Sequence, residues 1–264
     1  MPELFIFTLS IDAIMDIVKY NSAAWDRYVE KKDRWTIPVT DEDLERAKGG
    51  EWKVVLTPTK AVPQKWFPDL KGLQILGLAS GGGQQGPILA CGGAEVTIFD
   101  NSEKQLQQDR NLSERYDLGI KTVQGDMRDL SVFPDASFDL IFNPCSILFV
   151  EDILPVWKEC YRVLRPGGIL MTGLMNPLVY QLEEEELKLV YPQPYSDLHS
   201  LPEEKLEKLT REEEALLFGH SWTDQIGGQL QAGFRLTDMF EDDWKGENKL
   251  DAFLPSFMAT RAIK

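Results

Sequence analysis

At 264 residues, with 43% hydrophobic and 27% charged residues, the chain is long enough to bury a full core as one principal domain, and its composition is neither fibrous, disordered nor membrane-like. A formal charge of −15 surrounds it with a negative field that repels phosphate backbones and anionic lipid, and no stretch interleaves clustered Lys and Arg with aromatics. Nucleic acid and membrane are therefore not expected as partners. Cys91, Cys145 and Cys160 lie far apart, an odd number without metal-ligand spacing, and read as reduced thiols of a cytoplasmic protein.

The start, MPELFIFTLSIDAIMDIV, is apolar but carries Asp12 and Asp16, lacks a basic leader and is too short to span a bilayer; Met15 stands as an alternative first residue. Residues 1–70 read as a helical prelude. Trp25 and Tyr28 share one face of a helix over residues 21–32. Thr40 opens a second short helix with an acidic first turn, and Gly49 and Gly50 close it. Pro63 and Pro68 then break the chain.

From Leu73 onward short apolar runs alternate with helical stretches: LQILGLA, a helix from about Pro87, EVTIFD, a helix from Glu103, IKTVQGD, FDLIFNP, a helix near Ile153 to Leu164, and GILMTGL. Ser102 with Gln105 reads as a capping box. Trp157 and Tyr161 fall on the apolar stripe of their helix and are assigned to the core. Residues 179–222 form an acidic, helix-prone insertion, with Leu206, Leu209 and Leu216 on one face. FRLTDMF and SFMATRAIK then read as an antiparallel hairpin at a sheet edge. The expected fold is α/β: a Rossmann-like, mostly parallel seven-stranded sheet with helices on both faces, over residues 71–264.

In such a sheet ligands bind beyond the carboxyl ends of the strands, so the first strand-to-helix turn, ILGLASGGGQQGPILA, matters most. Its glycines let backbone approach a ligand, and the helix N-terminus offers N–H donors. Gly81, Gly83 and Gly86 also satisfy G-x-G-x-x-G, so a pyrophosphate or a carboxylate suits the turn equally. Asp100 ends EVTIFD, where a carboxylate can accept both hydroxyls of a ribose. Asp126 can accept from an adenine amino group, with Met127 packed on the ring.

Taken in order, these pieces resemble the class I S-adenosylmethionine-dependent methyltransferases, over roughly residues 73–264. The resemblance implies S-adenosylmethionine as cofactor. Ala79, Ser80, Gly81 and Gly83 would wrap its methionine part, Asp100 with Asn101 would bind the ribose, Asp126 and Met127 the adenine, and Asn143 would sit near the methionyl end. The sequence departs from the family at Gly77 and Ala79, where the acidic residue usual before the first glycine is missing. Gln84 or Gln85 is a candidate replacement at the cofactor.

Methyl transfer is an in-line displacement on activated carbon, so a base is optional. His220 is the candidate if one is used. Trp25, Tyr28, Trp35, Cys145 and Trp222 are candidates for the pocket of a small-molecule acceptor, by apolar or cation–π contact. The prelude and residues 179–222 are expected to cover that pocket as two parts of a lid. The acceptor, the methylated atom and the oligomeric state stay open. Two other readings remain: an NAD-dependent oxidoreductase, for which no Tyr-x-x-x-Lys pair is present, and a non-catalytic cofactor-binding protein. Asn143-Pro144 is also similar to the motif of amino-directed nucleic-acid methyltransferases, but Cys145-Ser146 replaces the aromatic that follows there.

Overall fold

The computed structural model describes residues 15–183 and 187–264, so the expectation for the apolar start falls outside it up to residue 14. Helix α1 (Ile17–Lys31) starts at Asp16, whose carboxylate accepts the Lys19 N–H. α2 (Asp41–Lys48) carries a complete capping box between Thr40 and Asp43. From Glu51 to Leu70 the prelude holds no α-helix, contrary to expectation. It runs extended or in short turns, and Val54, Leu56, Val62, Trp66 and Leu70 are buried against the sheet. Those apolar side chains pack singly as anchors, so no helical face is needed.

The sheet begins with β1 (Gln74–Leu78), followed by α3 (Gln85–Cys91), β2 (Glu95–Asp100), α4 (Glu103–Tyr116), β3 (Lys121–Gln124), β4 (Phe138–Asn143), α5 (Leu154–Val163) and β5 (Leu164–Met175). The insertion contributes the two-residue strands β6 (Leu182–Glu183), β7 (Lys188–Leu189), β8 (Tyr195–Ser196) and β9 (Phe218–Gly219), with α6 (Asp197–Ser200) and α7 (Glu203–Arg211). α8 (Gly228–Ala232), β10 (Arg235–Asp242) and β11 (Phe257–Ile263) complete the chain. The main sheet has seven strands in the order β10-β11-β5-β4-β1-β2-β3. β1 to β5 are parallel, while β11 runs antiparallel to β5 and β10 antiparallel to β11. This is the expected Rossmann-like fold. The order reverses at β1, which places the mouth of the sheet beside the glycine turn.

Period-two alternation divides the core between two faces. Ile75, Ile98, Leu140 and Phe142 meet α3, α4 and the prelude, whereas Leu76, Leu78, Phe99 and Ile141 meet α5 with its fully buried Trp157. Pro166-Gly167-Gly168, whose residue types read in the sequence as a turn between helix and strand, is not a separate turn. It lies within β5 as a bulge, since Phe138 pairs with Leu164 but Leu140 with Ile169, and Gly167 has φ +79°.

Two further expectations need correction. Ser102 accepts the Gln105 N–H at 3.1 Å, but the reciprocal half of the box is missing because Asp100 takes the Ser102 N–H at 2.9 Å. Asp26 of α1 also reaches this cap, accepting from Ser102 Oγ at 2.6 Å and from the Lys104 N–H at 3.0 Å. Leu216 does not share a helical face with Leu206 and Leu209. α7 ends at Arg211, Glu213 adopts φ +58°, and Leu216 lies fully buried in the segment beyond.

The prelude is part of the main core rather than a separate body, and the two suspected halves of a lid are fastened to each other. Arg27 pairs with Glu213 at 3.1 Å, and the Tyr28 hydroxyl donates to Glu214 while accepting the Ala215 N–H at 2.9 Å.

Candidate active site

β1 delivers the chain into the turn at residues 79–86, directly above the ends of β2 and β4. Ala79 adopts φ +45°, Gly82 +105° and Gly83 +69°. A Cβ on Gly81 would lie 2.8 Å from Gln105 Cβ and 3.0 Å from Asp100 Oδ2, so only glycine allows the backbone this close to β2 and α4. Asp100 Oδ2 accepts the Gly81 N–H at 2.9 Å. Burial pushes the Asp100 carboxyl up, against the pull of the Ser102 and Gly81 N–H groups.

A cavity of about 270 Å³ opens from this turn, on the scale of a small-molecule site. Of the residues singled out in the sequence, Ala79, Ser80, Gly81, Gln84, Gln85, Asp100, Asn101, Gln105, Asp126, Met127, Trp25, Trp35, Pro144 and Cys145 line it. Asp126 is bound to Arg128 through Nε at 2.8 Å and the backbone N–H at 3.0 Å, so an adenine amino group would share that carboxylate. Burial pushes the Cys145 thiol up to about 12, which keeps it protonated at neutral pH.

The other candidates lie outside the lining. Asn143 is a strut below the floor: its amide donates to the Leu78 carbonyl at 2.9 Å and Ser146 Oγ at 2.8 Å and accepts from Thr172 Oγ1 at 2.8 Å, joining β1, β4 and β5. Gly83 faces Leu112 and Pro38 and accepts the Val39 N–H at 2.9 Å. Tyr28 serves the insertion, as above, and Trp222 is an exposed side chain away from the cavity. His220 is buried, with Nε2 3.1 Å from the Ile147 carbonyl.

Both glutamines line the cavity, and each commits one end of its amide to the protein. Gln84 Nε2 donates to the carbonyls of Trp35 at 3.0 Å and Ile37 at 3.1 Å, and Gln85 Oε1 accepts the Val55 N–H at 2.9 Å. They moor the prelude to the turn. The moored segment, Val55 to Pro58, is a part of the lining that sequence reasoning missed, as are Leu148 to Glu151, Met175, Trp244 and Phe257. An apolar run bounded by Gly50 and Pro58 was the one local signal of the moored segment.

Ser80 Oγ, in the turn, is buried without a hydrogen-bond partner. Together with the glycine turn, the carboxylates of Asp100 and Asp126 and the Met127 side chain, it fits a ligand bearing an amino acid, a ribose and an adenine. Residues 76–172 match the family model described as a methyltransferase domain. The chain is 52% identical over 253 residues to the uncharacterized methyltransferase YbaJ of Bacillus subtilis, spanning 94% of this chain and 98% of that one. It is 32% identical over 102 residues to a sterol 24-C-methyltransferase of Aspergillus fumigatus, covering 38% of this chain and 27% of that protein. In fold it is similar to an S-adenosylmethionine-dependent methyltransferase from Mesorhizobium loti, with TM-score 0.58 and 20% identity over 76% of this chain and 95% of that one. Fold, turn and relatives define a methyl-transferring enzyme. The chain belongs to the class I S-adenosylmethionine-dependent methyltransferases, and S-adenosylmethionine is its cofactor.

Proposed function

We propose that the acceptor is a small, uncharged and largely apolar molecule bound in the cavity beside the donor turn. The observation that carries this reading is the lining itself: Trp25, Trp35, Leu56, Phe149, Trp244 and Phe257 supply aromatic and aliphatic wall. Arg128 is the one cationic side chain among the described lining residues, and its pairing with Asp126 leaves no unpaired cation for an anionic acceptor. The net charge of −15 opposes nucleic acid in the same sense.

In this reading the backbone at residues 79–81 holds the methionine part, Asp100 and Asn101 the ribose, and Asp126 with Met127 the adenine. When bound, the donor supplies a methyl carbon already activated by sulfonium sulfur. The chain's contribution is to align the acceptor and keep water out, through Leu56, Cys145 and the aromatic wall. His220 is given no part in catalysis, since it does not reach the cavity. The prelude, braced by the insertion through Asn21, Arg27 and Tyr28, forms the cover; no described residue of the insertion itself lines the cavity. Among the described residues no helix is long and apolar enough to cross a membrane; with three free thiols, this supports a cytoplasmic enzyme.

The test is incubation with methyl-labelled S-adenosylmethionine and cell extract, followed by separation of small organic-extractable molecules from protein and nucleic acid. Label should appear in the first fraction and be lost with Trp25→Ala and Trp35→Ala. Transfer confined to RNA, DNA or protein would overturn the small-molecule reading.

A further inference from the structure

The missing carboxylate of the donor turn has a physical explanation. A Cβ on Gly77 would lie 2.5 Å from Ile98 Cδ1 and 3.4 Å from Ser80 Cβ, so a side chain there would have to displace the Ile98 methyl. Beneath the same turn sits Asp109 of α4, with 0% exposure. Its Oδ2 accepts the Gly82 N–H at 2.9 Å, next to the Gly81 N–H held by Asp100. Its Oδ1 has no hydrogen-bond partner and lies 3.4 Å from where a Gly86 Cβ would stand. A buried carboxyl with an orphan oxygen is costly, and an amide or an alkyl group would fill this place without a charge.

We infer that Asp109 is a positioning residue for S-adenosylmethionine: supplied from α4 where β1 carries no acid, it fixes the Gly82 N–H and sets negative charge beneath the cationic donor. It acts through the turn and is not itself in the cavity lining. The inference rests on the reading that the donor occupies the turn at residues 79–86.

Burial raises the Asp109 carboxyl to about 8, with the Gly83 and Gly82 N–H groups opposing the rise. The charged groups facing it are Asp100 at the end of β2, which also raises it, and Arg110 of its own helix, which lowers it. α3 brings Gly86 to it and no charge. A cation bound above favours the ionised form, so donor binding and Asp109 ionisation are linked, each promoting the other.

Calorimetry of wild type and Asp109→Asn with S-adenosylmethionine at pH 6.5 and pH 9 reads this linkage. Asparagine keeps an oxygen for the Gly82 N–H and removes the charge. The ligand's own amino group titrates in this range but acts equally on both proteins, so the readout is their difference. Wild type should gain about five- to tenfold more affinity than Asp109→Asn between the two pH values, a typical coupling. An equal pH response of the two proteins would overturn the inference. Carbon NMR of the Asp109 carboxyl in wild type needs no variant: its titration midpoint should fall when S-adenosylmethionine binds, and an unmoved midpoint would overturn the inference equally. Failure of wild type to bind S-adenosylmethionine at either pH is a different outcome, which would overturn the donor-site reading and this inference with it.

Discussion

Asn21 and Leu216, 195 positions apart, exchange reciprocal hydrogen bonds: the Asn21 amide donates to the Leu216 carbonyl at 3.1 Å, and its oxygen accepts the Leu216 N–H at 2.8 Å. The same amide also donates to the carbonyl of Phe149, a cavity-lining residue, at 3.0 Å. One buried side chain therefore joins α1, the insertion and the cavity wall. Asn21→Ala leaves these backbone groups unpaired, at about 1–3 kcal/mol for each group that water cannot reach. The expected result is a lowered melting temperature and faster proteolysis between residues 203 and 216. Wild-type resistance to protease in the variant would show that the clamp does not hold the cover.

The approach of Leu56 to Gly173 is as sharp a constraint. A Cβ at Gly173 would stand 2.0 Å from the Leu56 carbonyl oxygen and 2.8 Å from the Cys145 nitrogen, both backbone atoms. Those two are themselves bonded, Cys145 N–H to Leu56 oxygen at 2.9 Å. Gly173→Ala must lift the segment that lines the cavity, with an overpacking loss of about 3 kcal/mol or more. Gly227→Ala is the control, since its Cβ would meet only Thr223 Cγ2, at 3.6 Å. Urea unfolding should separate the two by several kcal/mol, in line with that overpacking estimate. Equal midpoints would mean that the prelude yields without cost.

The contrast explains what was legible beforehand. The sheet could be read because its strands are short apolar runs alternating with helical stretches, and the turn because its glycines sit between a strand and a helix. The segment from Glu51 to Val62 has no such local rule: its place is set by Gly173, Gln85 and Asp242, all distant in sequence. Asp109 was hidden for the converse reason. Gln105, Asp109 and Ser113 form a polar stripe at helical spacing, which reads as a solvated face, yet all three are buried beneath the turn and its surroundings. Trp25 and Tyr28 share a helix and touch, with ring centroids 5.3 Å apart, but only Trp25 lines the cavity. Helical periodicity placed both on one face and could not tell which partner each would meet.

Ala79 carries strain that can be measured. At φ +45° an L-residue is disfavoured by about 1–2 kcal/mol, against about 0.5–1 kcal/mol of extra chain entropy lost by glycine. Its N–H donates to the Phe99 carbonyl at 2.7 Å, which holds the conformation in place. Ala79→Gly should therefore stabilise the protein by about 0.5–1 kcal/mol, the difference between those terms, and Ala79→Val should destabilise it. Calorimetric melting decides this, and a lower melting temperature for Ala79→Gly would remove the strain argument.

His220 separates a structural from a catalytic histidine. A carbonyl can only accept, so Nε2 carries a proton toward Ile147. Burial lowers its pKa, with the Ile147 and Val150 carbonyls and Asp224 opposing. Because the folded value lies below the unfolded one, the histidine's contribution to stability is present above about pH 6.5 and is lost as pH falls through the folded value. Wild type should weaken on acidification through this window. His220→Gln, whose amide can still donate to Ile147, should lose that dependence, and His220→Ala should cost about 1–3 kcal/mol at neutral pH by orphaning the carbonyl. Methyl transfer by folded His220→Gln should keep its rate within a fewfold. A loss of about a hundredfold or more, the scale of a removed general base, with stability unchanged, would return His220 to the reaction.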